Sequence, residues 1–304
     1  MFQLLYNDLN SFLRSRFGCR VQKITIDAGL TCPNRDGTVG RGGCIYCNDR
    51  GSGTGAFKYA SITEQILSAK EFLGRRYKAK KFIAYFQSFS NTYAPVEKLR
   101  SLYEEALVVE DIAGLAVGTR PDCAGDDVLD LLAEMNDRTY VNVEYGLQSI
   151  HDRTLELINR GHTVKTFRDA VSLTRKKGLD ITAHVIIGLP GEDREDMLAT
   201  ARALGEMDVQ GVKIHLLYVI RGTRLHQMYE NGSYRCLNRD EYIDIVCDFL
   251  ALLPPEMVIH RLTGDPHRDE LAAPLWALEK EKNLRAIRNT MQERDIRQGK
   301  LFKK

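Results

Sequence analysis

The chain has 304 residues, 43 of them basic and 41 acidic, for a formal net charge of +2. This length allows one large α/β domain or two smaller ones, with a core that needs no disulfides. The near-balanced charge neither demands nor excludes a polyanionic partner, so any nucleic-acid signal must be local. No run approaches the roughly 18 consecutive apolar residues of a membrane span, so no membrane partner is expected. Residues 1–18 carry an apolar rhythm at Phe2, Leu5, Leu9, Phe12 and Leu13, broken throughout by polar residues. That pattern predicts an amphipathic helix and not a signal peptide. Without an export signal the expected location is cytoplasmic, where thiols stay reduced. The seven cysteines are then expected to be free, catalytic or metal-bound.

Short β-branched or apolar runs follow at 23–27, 81–86, 114–119, 140–145, 181–188 and 212–218, with a seventh candidate at 257–262. Helical patterns lie between them at 63–77, 96–109, 126–136, 164–177, 194–206 and 239–252. Strands this short and this continuously apolar suit a sheet covered on both faces. Strand then helix, repeated about six times, argues for parallel strands joined by right-handed crossovers. The predicted fold is α/β, a partial (β/α)6-type TIM-like barrel over 1–266 with a basic C-terminal helical extension over 267–304.

The first predicted strand runs into AGLTCPNRDGTVGRGGCIYCNDRGSGTG. This places Cys32, then eleven residues, Cys44, two residues and Cys47, with glycines at 37, 40, 42, 43, 51, 53 and 55. So many glycines suit a loop wrapped closely around something. Three thiols at the C-terminal end of a barrel strand stand where such barrels place chemistry. Thiolates favour zinc or iron–sulfur clusters. A structural zinc site closes with four ligands, often as two Cys-x-x-Cys knuckles, and only one knuckle is present. Cys19 precedes the strand and is expected at the barrel's opposite end. Most four-iron clusters also take four cysteines, so three would leave one iron open to a ligand. Spacing alone leaves cluster, structural zinc and unliganded thiols as alternatives.

Later motifs fall at the ends of the predicted strands. In GTRPDC (118–123), Pro121 ends a strand and leaves Arg120 and Asp122 at its C-terminal end, either as a salt bridge across a turn or as a polar anchor in a cavity. Cys123 beside them reads as a buried inert thiol or a reactive one. In VEYGLQS (143–149), Glu144 alternates with apolar neighbours, and a carboxylate in a barrel core is costly unless paired or ligand-bound. NRGHT (159–163) offers Arg160 to a carboxylate or phosphate and His162 as an acid or base. VIIGLPGE (185–192) has Gly188 and Gly191, which leave room for a nucleoside against the backbone, and Glu192 as a helix cap. YVIRGT (218–223) follows the sixth strand.

The cysteine loop, Tyr46 just before its last cysteine, and these five motifs in this order resemble the radical S-adenosylmethionine (SAM) superfamily. The likeness is to the branch of the elongator catalytic subunit and its small bacterial relatives without an acetyltransferase domain, over roughly residues 20–265. The superfamily's usual first gap is three residues; the gap of eleven is shared by the elongator-like branch. The resemblance implies that Cys32, Cys44 and Cys47 hold a [4Fe-4S] cluster and are catalytic, through reductive cleavage of SAM to a 5′-deoxyadenosyl radical. It implies that Tyr46, Gln87, Ser88, Glu144, Gln148, Gly188 and Tyr218 bind cofactor, and that Arg120, Asp122, Arg160 and His162 face substrate. A Gly-Gly-Glu-like turn common in the superfamily is missing. FQSFSNTY (86–93) stands in its place, so Gln87, Ser88, Ser90, Asn91 and Thr92 must grip the cofactor differently.

By the same resemblance the substrate is a tRNA, modified on the C5 side chain of a wobble uridine. An electron donor such as flavodoxin or ferredoxin is implied. Acetyl-CoA is not expected, because the acetyltransferase domain has no counterpart in these residues. Arg75, Arg76, Lys78, Lys80 and Lys81, and the basic tail over 279–304, offer phosphate contacts or are solvated helix ends. The competing readings are radical chemistry on a small metabolite or protein, and a non-catalytic metal-stabilised RNA-binding module.

Overall fold

The computed structural model describes residues 4–49, 51 and 60–303. Phe2, Gly53 and Gly55, which the sequence reading used, lie outside the described residues. Helix α1 (Leu9–Phe17) begins at Asp8, whose side chain accepts from the Ser11 amide, and ends at left-handed Gly18. Strand β1 (Val21–Ile26) leads into the cysteine loop, which contains the short α2 (Pro33–Asp36). Strand and helix then alternate: α3 (Ile62–Tyr77), β2 (Lys81–Phe86), α4 (Val96–Leu107), β3 (Ile112–Thr119), α5 (Asp126–Asn136) and β4 (Tyr140–Gln148). They continue with α6 (Asp152–Leu157), α7 (Val164–Lys176), β5 (Asp180–Ile187), α8 (Arg194–Gly205) and β6 (Gly211–Leu216). The chain closes with β7 (Val219–Ile220), α9 (Arg224–Glu230), α10 (Arg239–Leu252), β8 (Val258–Arg261), β9 (Leu271–Ala273) and α11 (Lys280–Glu293).

Seven parallel strands form one curled half-barrel sheet in the order β1-β2-β3-β4-β5-β6-β8. The seventh candidate strand at 257–262 is thus part of the barrel. β7 and β9 make a separate antiparallel pair. Reciprocal caps fix where several helices start, as at Ser61 with Glu64, Asp193 with Asp196, and Asn238 with Glu241. Asp193, not Glu192, caps α8. Glu192 turns back and accepts a hydrogen bond from the Ser149 hydroxyl.

The strands separate two environments by alternation. Ile24, Ile26, Phe86, Val117, Val143, Ile181 and Ile214 join the large core under the helices. Val21, Ile83, Tyr85, Ala116 and Tyr140 face the lumen at its base, where Leu13 of α1 closes them off. Leu271, Ala277, Ile287 and Met291, all after residue 267, share the large core, and α11 packs along α10. Among the described residues no helix is long and apolar enough to cross a membrane.

Candidate active site

Cys32 starts α2, its carbonyl accepting from the amides of Arg35 at 2.8 Å and Asp36 at 3.2 Å. The chain folds back through a bridge between Asp36 and Arg41, so the eleven-residue gap returns Cys44 to the same wall. Asn34 locks this return. Its buried amide donates to the Asn159 carbonyl at 2.6 Å and lies 3.7 Å from the Cys44 sulfur. Asn159 donates in turn to the Gly43 carbonyl at 2.7 Å. Between the last two cysteines Ile45 is the anchor. It sits in a small apolar cluster with Leu155, Ile158, Val219 and Leu225, and its amide and carbonyl bond Ile158 and Leu225. Tyr46 is thereby turned into the cavity.

The cavity at the C-terminal ends of the strands has a volume of about 430 Å³. Cys32, Cys44 and Cys47 line it together with Tyr46, Gln87, Arg120, Glu144, Gln148, Arg160 and Tyr218. Ser88, Asp122, His162 and Gly188 do not reach its wall. Ser88 is buried behind it. The Gly188 carbonyl accepts from the Tyr234 hydroxyl at 2.9 Å, and Leu237 fills the space beside its α-carbon. His162 donates to the Gly146 carbonyl at 3.1 Å. Burial, then the charges of Arg160 and Arg120, push its pKa down to about 2, so it is no acid or base near neutrality.

Arg120 is 2% exposed and is committed to the protein. It holds Asp122 in a fork at 2.9 and 2.7 Å and donates to the Arg160 carbonyl at 2.7 Å. The salt bridge across the turn is therefore what forms, and the bond from Arg120 to the Arg160 carbonyl fastens the end of β3 to the loop after α6. Burial, then Asp122, pushes the Cys123 thiol up to about 12, which fits an inert thiol. In the segment after β2, Asn91 bonds Gly118 and Thr92 bonds Thr119 and Cys123, so both serve the fold. Gln87, Phe89 and Ser90 of that segment face the cavity.

Arg160 reaches Cys44 because Gly146 has no side chain. A β-carbon there would lie 2.5 Å from the guanidinium and 2.7 Å from the Gln148 amide. The guanidinium donates to the Gly146 carbonyl and places a third nitrogen 3.7 Å from the Cys44 sulfur. A hydrogen bond from the Cys47 thiol, set against burial and helped by the Arg160 charge, holds Cys44 well below the usual thiol range. The pair thus favours a thiolate at Cys44, the form that ligates metal.

Beneath the cysteines lies a polar group of which the sequence reading named one member. Glu144 is 0% exposed. His184 donates to it at 2.7 Å and Lys213 at 3.2 Å, Lys23 bonds its other oxygen, and His260 lies 3.7 Å away. Lys213 also donates to the Tyr85 hydroxyl at 2.7 Å. Burial alone would raise the Glu144 pKa, but Lys213, Lys23, His184 and His260 hold it well below the carboxylate range. Its charge is thus satisfied by the protein, the paired alternative left open above.

The residues fit an iron–sulfur cluster with a nucleoside cofactor. Three thiols share one cavity wall, cationic and amide donors stand beside one sulfur, and the buried hydroxyls of Tyr46 and Ser90 lack partners among the described residues. The profile of the Radical SAM superfamily matches residues 34–204, and that of the Radical_SAM C-terminal domain matches residues 209–293. The chain belongs to the radical SAM superfamily. Its members are enzymes, so the reading of the chain as a non-catalytic, metal-stabilised RNA-binding module is set aside. The chain is 45% identical over 300 residues to the uncharacterized protein YtqA of Bacillus subtilis (strain 168), covering 98% of this chain and 93% of that one. It is 32% identical over 170 residues to the tRNA uridine(34) acetyltransferase of Dehalococcoides mccartyi (strain CBDB1), covering 53% of this chain and 36% of that one. The archaeal Elp3 of Methanocaldococcus infernus shares the fold, with a TM-score of 0.67 at 18% identity over 91% of this chain and 64% of that one. These relatives support the elongator-like branch of the superfamily.

Proposed function

We propose that this radical SAM enzyme modifies RNA, at the C5 side of a tRNA wobble uridine. The observation that carries the reading is the 32% identity over 170 residues to a protein named for uridine 34 of tRNA. In this reading Cys32, Cys44 and Cys47 hold a [4Fe-4S] cluster, and Tyr46, Gln87, Gln148 and Tyr218 on the same cavity wall hold SAM. Bound together, these groups supply a 5′-deoxyadenosyl radical for hydrogen abstraction. A one-electron donor of the flavodoxin or ferredoxin class is required.

The chain's own residues supply position and charge. Arg160 and Asn34 orient the Cys44 sulfur. Glu144 fixes Lys23 and Lys213 at the floor of the cavity. The first basic cluster does not stand near the opening. Arg75 and Arg76 end α3 and Lys81 starts β2, at the N-terminal ends of the strands and opposite the cavity. Exposed Arg41, Arg221 and Arg268 lie in segments that border the lining residues Gly43, Ile220 and His267, and they are the better candidates for phosphate contacts.

The test is anaerobic. The cluster is rebuilt, SAM and a strong reductant are added, and 5′-deoxyadenosine is assayed with and without tRNA. Cleavage that is lost in Cys47→Ala and leaves a new mass on a tRNA uridine supports the reading. Cleavage with no altered nucleoside across a full tRNA pool would reject the tRNA substrate while leaving the enzyme class intact.

A further inference from the structure

Two side chains at the floor of the cavity have no hydrogen-bonding partner among the described residues. Arg261 and His215 both line it. Neither makes a hydrogen bond or ion pair to another described residue, although the His215 ring lies 5.3 Å from that of His184. Arg261 reaches the floor through an irregularity in β8. Val212 pairs with Ile259 and Lys213 pairs with Arg261, which leaves His260 as the extra residue. Simple alternation would send 260 and 261 to opposite faces, whereas a bulge re-aims one of them. Here His260 lies near Glu144 and Arg261 lines the same cavity.

The charges on the floor do not balance. Lys23 and Arg261 are cationic, Lys213 is lowered by burial toward its neutral form, and Glu144 is the carboxylate among them, so positive charge is in excess even without Lys213. The other carboxylates on the wall are engaged at the rim, Asp265 with Lys280 at 2.5 Å and Glu270 with Asn48 at 3.1 Å. A guanidinium carries five donors in a planar fork that matches a carboxylate or a phosphate. Positive charge facing an enclosed cavity is costly unless an anion or water answers it.

We propose that Arg261 and His215, backed by Lys213, bind an anionic group of the substrate, a carboxylate or a phosphate, at the floor of the cavity. The proposal rests on the reading that substrate enters this cavity. For an RNA substrate the anion is either a backbone phosphate of the inserted nucleotide or a carboxylate on its base.

The test is calorimetry on the cluster-loaded protein saturated with SAM, titrated with inorganic phosphate and, separately, with malonate. One of the two is expected to bind, and its identity names the source of the anion. Affinity should fall about tenfold or more in Arg261→Gln, as loss of a charge-assisted pair predicts, with partial recovery in Arg261→Lys. His215→Asn should weaken the same anion by less. Because Arg261 bonds no described side chain, its variants are expected to fold, which their melting points check. Equal binding by the native protein and Arg261→Gln would overturn the proposal, as would binding of neither anion. Binding to the cluster-loaded protein without SAM that is abolished once SAM is added would assign the guanidinium to the cofactor and also overturn it. The tRNA reading fails independently: anion binding at Arg261 without any tRNA-dependent product would keep this site and reject RNA as the substrate.

Discussion

A nitrogen of the Arg160 guanidinium lies 3.7 Å from the Cys44 sulfur, although 116 residues separate the two in the chain. If Cys44 holds the cluster as proposed, the cation beside it stabilises the reduced, more negative state. Arg160→Met should therefore still take up iron but lower the cluster's reduction potential. If one charge-assisted hydrogen bond of about 1.5–3 kcal/mol is lost, the fall is roughly 60–130 mV for a one-electron couple. A potentiometric titration followed by electron paramagnetic resonance measures it. An unchanged potential would mean that the guanidinium only holds the Gly146 carbonyl.

Glu144→Gln keeps the shape of the side chain and removes the charge that Lys23 and Lys213 share. Breaking a buried ion pair on one side strands the other, at a cost of about 3–5 kcal/mol. The denaturant midpoint should fall accordingly. Adding Lys23→Met to the same chain should recover part of the loss, because the stranded charge is then gone. Additive losses would mean that the two groups do not interact.

The histidines around Glu144 set an acid limit. Burial first, then Lys213 for His184 and Lys23 for His260, lowers both to about 4 from the ordinary 6.5. As pH falls below 6.5 the unfolded chain takes up these protons and the folded chain does not. The histidines' contribution is therefore complete above 6.5 and is lost until the folded values near 4 are passed. Each unit of difference amounts to about 1.4 kcal/mol. Urea midpoints measured from pH 8 to pH 5 should decline, and His184→Asn should flatten the slope. Lys213, lowered by burial to about 7 from 10.5, adds a further rise in stability between those two values.

The two groups of basic residues should separate in function. Arg75→Gln, Arg76→Gln and Lys78→Gln together should leave 5′-deoxyadenosine formation unchanged and alter tRNA affinity less than about twofold. Arg41→Gln with Arg268→Gln should weaken tRNA binding and make its salt dependence shallower, by about one unit of slope for each phosphate no longer neutralised. Filter binding across a salt series distinguishes them. A strong loss in the α3 variants would place RNA on the opposite end of the barrel.

The strand and helix runs and the Cys32, Cys44 and Cys47 loop were legible because both are local patterns. The lumen was legible in part. Lys23, Asn142, Glu144, Thr182, His184, Lys213, His215 and His260 recur as polar residues, mostly two apart, on strands that are otherwise apolar. That period is the signature of one shared face, yet reading Glu144 by itself missed its partners. The irregularities were not legible. The register shifts between Gly146 and Gln148 and beside Arg261 arise only when neighbouring strands pair, and they decide which side chains enter the cavity. His162 and Asp122 do not reach it because partners in the protein hold them: the Gly146 carbonyl, which only the fold brings to His162, and Arg120, the local salt bridge that the sequence offers as one reading.

The sheet stops at β1 on one side and β8 on the other, and the peptide just before α1 lies along β8. The Ile259 amide donates to the Asn7 carbonyl at 2.7 Å, and Asn7 in turn bonds Gln298 and the Glu256 carbonyl. A sheet edge left bare is a template for pairing with another chain. The N-terminal arm therefore acts as a guard against self-association as well as a connector. A chain shortened past Asp8 would keep its cysteines and cavity residues, yet would expose a parallel edge strand and is expected to aggregate through it.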